Sequence, residues 1–556
     1  MLLPQLFALL ACTATPVVGE PPTSGDTASD PDDAMLYDPD VLHEVEITLD
    51  PSDWDALRVQ ERTYYDLLGE GCLEEPWESP YTWFEAEVTF DGEEMGTVGA
   101  RKKGLIGSNS PDRPSLRLDV DHYDEGARFH GLEKLVFNNN NQDPSRLRTC
   151  LAHAWFADAG LVAPRCSLAH VTVNGEDLGI YDNTEAIDEN LVERVRGASP
   201  GAMYEGALSD FRTDWVNSFE PENEVSLGEE PRAVLAALES GDDALLDALD
   251  AVIDLDAFFD FWAAESVAGH WDGYNGNTNN FYLYAAPEDG RLEFIASGPD
   301  ATFDRVEPFG PGAPVWVATV SALGNRLIQH AEGKRRYEQA LQGLLDDAWD
   351  EGARLDRIDA WKDLLQGVST REQRQAIGDL RDIVASREGD IEAAIGEPVY
   401  PSALRGNPCW VSVGTVLVTF TGTWGSYPGG DLLNGGDVTT DYLIGGVPYP
   451  TTADGVSIGW VGDGTALWLT ISTVAESTYL APYVILEPEA LVTGVDIPID
   501  GEVAEGLLLY SSPDTGGEWT TAAWLGFGSI RFDTLSLEDG DTVSGTLEVS
   551  VLGGEE

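Results

Sequence analysis

The segment Ala268-Gly-His-Trp-Asp272-Gly-Tyr-Asn-Gly-Asn-Thr-Asn-Asn280-Phe-Tyr-Leu-Tyr284 places one carboxylate in a loop rich in glycine and asparagine, directly before an apolar strand. Asp272 in such a loop could accept a hydroxyl proton, while asparagine oxygens such as that of Asn280 ligate a hard cation. The same run also suits a plain succession of Asx and Gly turns, although turns alone do not call for a strand at once. A second carboxylate follows in Phe294-Ile-Ala-Ser-Gly-Pro-Asp300-Ala-Thr-Phe-Asp304. Here an apolar strand delivers Asp300 to its end, where a metal-binding carboxylate is held rigidly, or where an ordinary cap sits. One base and one metal carboxylate joined through a hairpin is the pairing that phosphoryl transfer needs.

A third constellation is basic: Arg101-Lys-Lys103-Gly-Leu-Ile-Gly-Ser108-Asn-Ser110, followed by Arg113-Pro-Ser-Leu-Arg117. Glycines let backbone amides approach an anion, hydroxyls add donors, and Arg101, Lys103 and Arg117 bring charge at the strand ends flanking the loop. A solvated loop between strands is the competing explanation. The span from Arg101 to Arg148 carries Arg101, Lys102, Lys103, Arg113, Arg117, Arg128, Lys134, Arg146 and Arg148, in a chain with 31 basic and 99 acidic residues and a net charge of -68. A positive stretch inside so acidic a protein fits a bound phosphate, or a set of surface ion pairs. The overall charge excludes generic attraction to nucleic acid or anionic membrane.

The elements that must position these residues can be read from period and punctuation. Val41 to Leu49 and Trp83 to Phe90 alternate as strands, with Asp91-Gly92 as a turn. Ser115 to Val120 and Lys134 to Asn138 add two more, Asp143-Pro-Ser145 opens a helix reaching about Ala159, and Ala169 to Asp182 reads as a hairpin about Asn174-Gly175. The expectation is a small mixed sheet with one helix. From Pro231 to about Glu392 the pattern is mainly helical, in Ala233 to Leu249, Leu255 to Val267 and Arg371 to Ala394, interrupted by a strand-rich island from Asn280 to Phe303. Beyond Pro401 alternating runs separated by Gly/Asp turns, with Arg405 and Arg531 the only basic residues, predict a β-sandwich.

Taken in order, Phe129-His-Gly-Leu-Glu-Lys-Leu-Val-Phe-Asn138-Asn-Asn-Asn-Gln-Asp-Pro-Ser-Arg-Leu-Arg148, Ala159 to Arg165, Val173-Asn-Gly-Glu-Asp-Leu-Gly-Ile-Tyr181 and Thr184-Glu185-Ala-Ile-Asp188 resemble the CotH kinase family of spore-coat-H-like, atypical kinases. The Asp272 and Asp300 segments continue the resemblance, which covers about residues 41–399. It implies an α+β, two-lobed kinase-like domain over 41–400, with an N-lobe to about 188 and a C-lobe from 189, followed by the β-sandwich over 401–556. It also implies Mg-ATP or Mn-ATP bound between the lobes and phosphate passed to a serine or threonine hydroxyl of a protein substrate. By the resemblance the Arg101 loop with Lys103, Ser108 and Arg117 holds phosphates, Arg148 faces them from a helix, and Glu185 lies at the lobe junction. Asp272 is then the catalytic residue, and Asn280 and Asp300 bind the metal. Ser297-Gly298 stands where the family often has a tryptophan-aspartate pair. The reading from another class is a kinase fold without catalysis, serving as a cell-surface binding or adhesion protein.

Export is expected from the first residues. Met1 to Ala11 is short and apolar and ends in Leu9-Leu10-Ala11-Cys12, which looks like a lipobox with Cys12 as the lipidated residue, followed by a Thr/Pro/Gly/Ser/Asp tether over 13–40. This predicts a cell-envelope lipoprotein at the outer membrane or surface, touching membrane only through lipid. An ordinary cleaved signal peptide also exports the chain. Cys72, Cys150, Cys166 and Cys409 can pair in three ways in an oxidising compartment, with Cys150 and Cys166 the preferred pair. Gly455-Val-Ser457-Ile-Gly459 matches the GxSxG esterase pattern, but no helix follows it and no histidine lies beyond His330.

Overall fold

The computed structural model describes residues 33–304, 319–395, 403–425, 436–448, 452–460, 467–475, 478–501, 504–511 and 520–554. Cys12 and the expected signal peptide lie outside these residues. The first region is built from seven strands: β1 (Leu42–Leu49), β2 (Phe84–Phe90), β3 (Glu93–Lys103), β4 (Ser115–Asp119), β5 (Lys134–Asn138), β6 (Cys166–Val173) and β7 (Glu176–Thr184). They close into a barrel in the order β1-β2-β3-β4-β5-β7-β6, with β6 returning parallel to β1 so that Val45 pairs with Val171. The expected small mixed sheet is therefore a closed barrel. Strict alternation in β1 sends Val45, Ile47 and Leu49 inward, where they meet Val88, Phe90, Val98, Leu118, Phe137 and Tyr181. Two hairpins have both central residues left-handed, Asp91-Gly92 (φ 50° and 81°) and Asn174-Gly175 (φ 52° and 80°), which suits the strand twist.

Helices α1 (Pro51–Val59) and α2 (Tyr64–Leu68) lie between β1 and β2, and α3 (Arg148–Asp158) lies between β5 and β6. A disulfide between Cys150 and Cys166 fastens α3 to β6. Residues 33–40, assigned to the tether by the sequence, pack on the fold instead. Leu36 and Tyr37 are buried, Asp33 pairs with Arg165 at 2.9 Å, and Trp361 Nε1 donates to the Pro39 carbonyl at 2.9 Å.

The second region begins with α4 (Glu189–Arg196) and holds a four-stranded sheet of β8 (Met203–Gly206), β9 (Glu220–Pro221), β10 (Phe281–Ala285) and β11 (Leu292–Ala296), ordered β11-β10-β8-β9. Around it lie α5 (Glu229–Leu238), α6 (Asp242–Asp250), α7 (Leu255–Ala268), α8 (Tyr274–Asn277), α9 (Ala322–Gln329), α10 (Ala331–Asp347), α11 (Glu351–Leu364) and α12 (Arg371–Ala394). The single helix expected over 233–249 is two, because Ser240-Gly241 breaks it. Helix α7 is the buried centre: Phe258, Phe261 and Trp262 are almost wholly covered, and Trp262 stacks on Tyr337 with ring centroids 3.9 Å apart. Each such side chain contributes about 1.5–3 kcal/mol through burial.

The chain beyond Trp410 forms one hydrogen-bonded ten-stranded sheet among the described residues, rather than two separate layers. It curls until Trp424 bridges Ile458, so one continuous sheet encloses Val418, Phe420, Leu469, Leu547 and Val549. Alternating runs look the same in either case, because the inward face is apolar in both. This sheet is docked on the barrel region by the Cys72–Cys409 disulfide and by Tyr65, whose hydroxyl donates to the Leu525 carbonyl at 2.6 Å.

Candidate active site

Helix α7 ends at Gly269, left-handed at φ 68°, and the chain turns through His270 into the Asp272 loop. The loop is bolted to α7 by Glu265, which accepts from the backbone N–H groups of Tyr274 and Asn275 at 3.0 and 3.4 Å and from Asn275 Nδ2 at 2.9 Å. Burial nonetheless pushes the Glu265 carboxyl up to about 8. His270 bonds the Ser297 carbonyl oxygen at 3.0 Å and so ties the loop to the end of β11. Burial holds His270 down to about 4, and it stays neutral.

Within this frame the Asp272 carboxylate is cradled by three amides. Its Oδ1 accepts from Asn277 Nδ2 at 2.5 Å and Asn279 Nδ2 at 3.3 Å, and its Oδ2 accepts from Asn280 Nδ2 at 2.8 Å. A carboxylate has about four acceptor positions, so one remains for a hydroxyl. Burial raises the Asp272 pKa and the amide donors oppose that rise. Asn280 takes a left-handed backbone (φ 49°), and the side-chain oxygen it keeps lies against Gly298 (φ 54°), where a Cβ would come within 2.6 Å of it. The glycine at the place of the family's frequent aspartate thus makes room for Asn280.

Asp300 sits on the single turn after β11, where its own backbone N–H donates to the carboxylate. Its carboxyl is pushed up to about 7, chiefly by burial and then by the charges of Asp272, Asp143 and Asp182. Asp143 and Asp182 were missed by the sequence reading. Asp182, on β7, accepts from Asn138 and Thr184, each at 2.6 Å, and leaves Oδ2 buried without a partner. Asp143 caps α3 through the N–H groups of Leu147 and Arg148 at 2.8 and 2.9 Å. No local pattern flags Asp182, since the chain from Tyr181 to Thr184 is buried without alternation and its polar residues read as an exposed strand end.

From the barrel side Lys103, at the end of β3, donates to Asn138 Oδ1 at 2.6 Å. Burial and Arg117 lower its pKa while Asp182, Glu205 and Asp300 pull it back up, and Asn138 links it to Asp182. Arg101 and Arg117 pair across β3 and β4 and lie in the field of Glu205 and Glu220 of the second sheet. Each has a buried Nε without a partner, and Arg101 stacks over Trp83 at 4.7 Å.

Three further candidates are committed within the protein. Arg148 pairs with Asp304 at 2.7 Å and Asp143 at 3.4 Å, so its charge is already answered. Glu185 is clasped by Arg165 and Arg194 at 2.9 and 2.6 Å and by the Arg165 N–H, which fixes the β7–α4 corner and leaves it no free oxygen for a lobe-spanning pair. Ser108 bonds its own turn at the Leu105 carbonyl, 3.1 Å away. The glycine loop is packed down on the asparagine run, with Asn139 Nδ2 donating to the Ser108 carbonyl at 2.8 Å and Asn141 Nδ2 to that of Gly107 at 3.2 Å.

Among the described residues no three His, Cys, Asp or Glu side chains stand together as a metal cage. Hard oxygens are present on separate elements: Asp182 Oδ2 is buried without a partner, the Asn280 side-chain oxygen lies against Gly298, and Asp300 follows two residues on. Oxygens of this kind are the ligands that magnesium or manganese would take.

Fold and site together define an α+β protein that gathers carboxylates and amides from a helical region against cations from a barrel. The chain belongs to the CotH kinase protein family, whose model matches residues 100–392. It is 25% identical over 258 residues to the inner spore coat protein H of Bacillus subtilis, covering 43% of this chain and 69% of that protein. It is also 24% identical over 234 residues to the invasin CotH7 of Rhizopus delemar, covering 40% and 39%, and 23% identical over 233 residues to invasin CotH2, covering 36% and 38%. The chain thus spans under two fifths of either invasin's length.

Proposed function

We propose that the protein is an exported, two-lobed phosphotransferase that passes the terminal phosphoryl group of Mg-ATP or Mn-ATP to a serine or threonine hydroxyl of a protein substrate. In this reading the barrel and the helical region are the two lobes. Asp272 orients the acceptor hydroxyl and takes its proton as the oxygen attacks phosphorus and the bond to the leaving diphosphate breaks. Asn277, Asn279 and Asn280 hold the carboxylate for that task. Lys103 meets phosphate oxygens, with Arg101 and Arg117 behind it. Asp300 and Asn280 hold the divalent ion, which supplies neutralisation of phosphate charge. What supports the reading is that Asn280 holds Asp272 at 2.8 Å and that Asp300 lies in the electrostatic field of Asp272 and in turn acts on Lys103.

The names of the spore-coat and invasin relatives support placement at a surface or outside the cell, and among the described residues no helix is long and apolar enough to cross a membrane. Attachment through lipid on Cys12 is part of the proposal. The purified protein with labelled ATP, magnesium or manganese and a serine-rich acceptor is expected to label the acceptor. Asp272→Ala should lower the rate by about 10²–10⁴-fold, the usual share of a positioned base. Equal labelling by both, or none by either, defeats the reading and leaves a surface-binding role of the kind the invasin names suggest.

A further inference from the structure

Arg405 lies outside the residues matched by the family model, in the segment that joins the helical region to the C-terminal sheet. Its guanidinium nevertheless reaches the Asp272 loop, where one nitrogen donates to both the backbone and side-chain oxygens of Asn277. The amide nitrogen of that same Asn277 donates to Asp272 Oδ1 at 2.5 Å. The bond from Arg405 therefore fixes which way the Asn277 amide faces: its oxygen toward the cation, its NH₂ toward the carboxylate. A charged donor at one end strengthens the bond at the other. Arg405 makes no ion pair among the described residues, and it acts on Asp272 as a positive charge.

The segment that carries Arg405 is itself held at several points. Its own N–H donates to the Val320 carbonyl at 3.0 Å, and its carbonyl accepts from Arg212 at 2.7 Å. Arg212 pairs with Asp210 at 2.8 Å, and Asp210 accepts from the Tyr274 hydroxyl at 3.0 Å, which is a second hold on the same loop. Arg212 stacks over Trp215 at 3.8 Å, and Trp215 shares a small core with Cys72, Leu73 and Cys409. A continuous path thus runs from the Cys72–Cys409 disulfide through Trp215 and Arg212 to Arg405, Asn277 and Asp272.

We propose that Arg405 is a positioning residue for Asp272, and that the Cys72–Cys409 disulfide holds it in place, so that the segment joining the helical region to the C-terminal sheet is a working part of the site rather than a plain linker. The proposal rests on the phosphotransfer reading only for what Asp272 does; the anchoring of the loop stands apart from it. The full-length protein, Arg405→Ala, Arg405→Lys and the Cys72→Ser/Cys409→Ser pair are compared in two measurements. In hydrogen exchange, Arg405→Ala and the disulfide variant should speed exchange in peptides covering 272–280 by about tenfold, as local opening does, with barrel peptides unchanged. In turnover, Arg405→Ala should lose about 10²-fold in kcat, the scale of a misplaced group, with little change in KM for ATP and partial recovery in Arg405→Lys. Wild-type exchange over 272–280 in Arg405→Ala, or exchange raised throughout the molecule, overturns the proposal. If the wild-type protein transfers no phosphate while exchange rises only over 272–280, the phosphotransfer reading fails and the anchor stands.

Discussion

Asp300 is a carboxyl whose charge the fold itself resists. It is buried in the field of Asp272, Asp143 and Asp182, and its own backbone N–H offsets only part of the cost of its charge. Asp300→Asn keeps the shape and removes the charge, and it should raise the unfolding free energy without metal by about 1–3 kcal/mol at pH 8, read from denaturant melts, while abolishing transfer. Opposite signs on stability and activity separate this from ordinary packing damage. Glu222 offers a second test away from the Asp300 turn. Burial and the charges of Glu205 and Glu220 push its carboxyl up to about 8. A folded-state value above the unfolded one means the native state holds the extra proton, so stability falls as pH climbs from about 4.5 to 8. Glu222→Gln should flatten that part of the thermal-midpoint curve, and an unchanged slope would contradict it.

At the scale of elements, the Asp272 loop depends on how closely its backbone can fold. A Cβ on Gly276 would lie 2.1 Å from the Trp271 carbonyl oxygen, which is backbone and cannot swing away. Gly276→Ala should cost about 2–4 kcal/mol by strain at a site with no room, and transfer should fall with it, as measured by melts and labelling side by side. Gly107 makes a contrast: its Cβ would meet the end of the Gln142 side chain, which can move, so Gly107→Ala should be mild. The strand-end position of Asp300 and the asparagine loop before β10 were legible from local pattern. Asp143 was legible as the opening of α3, but its bonds to the Leu147 and Arg148 N–H groups put the first helical residue at Arg148 rather than beside it.

Across the whole molecule the net charge of -68 sets a background repulsion that the few basic residues cannot offset. Raising salt from low ionic strength to about 0.5 M shortens the screening length and should lift the thermal midpoint by several degrees. A midpoint that falls with salt would mean that local ion pairs, such as the clasp on Glu185, outweigh the general repulsion. The barrel, the helical region and the C-terminal sheet are held in register by contacts of very long sequence separation, of which Cys72 with Cys409 spans 337 residues.

The sequence alone determined most of the local elements, the acidity and the loop and strand-end positions of Asp272, Asn280 and Asp300, because each is written in neighbouring residues and their spacing, and the preferred Cys150–Cys166 pairing is the one the structure holds. Tertiary structure alone decided that the first sheet closes through β6 against β1, that Arg148 and Glu185 are already partnered, and that Asp143 and Asp182 join the acidic group. It also decided that Arg405, seen in the sequence as one of two cations in an acidic tail, reaches Asn277. These are meetings of side chains far apart along the chain, and no local period or turn signal encodes a distance across a fold.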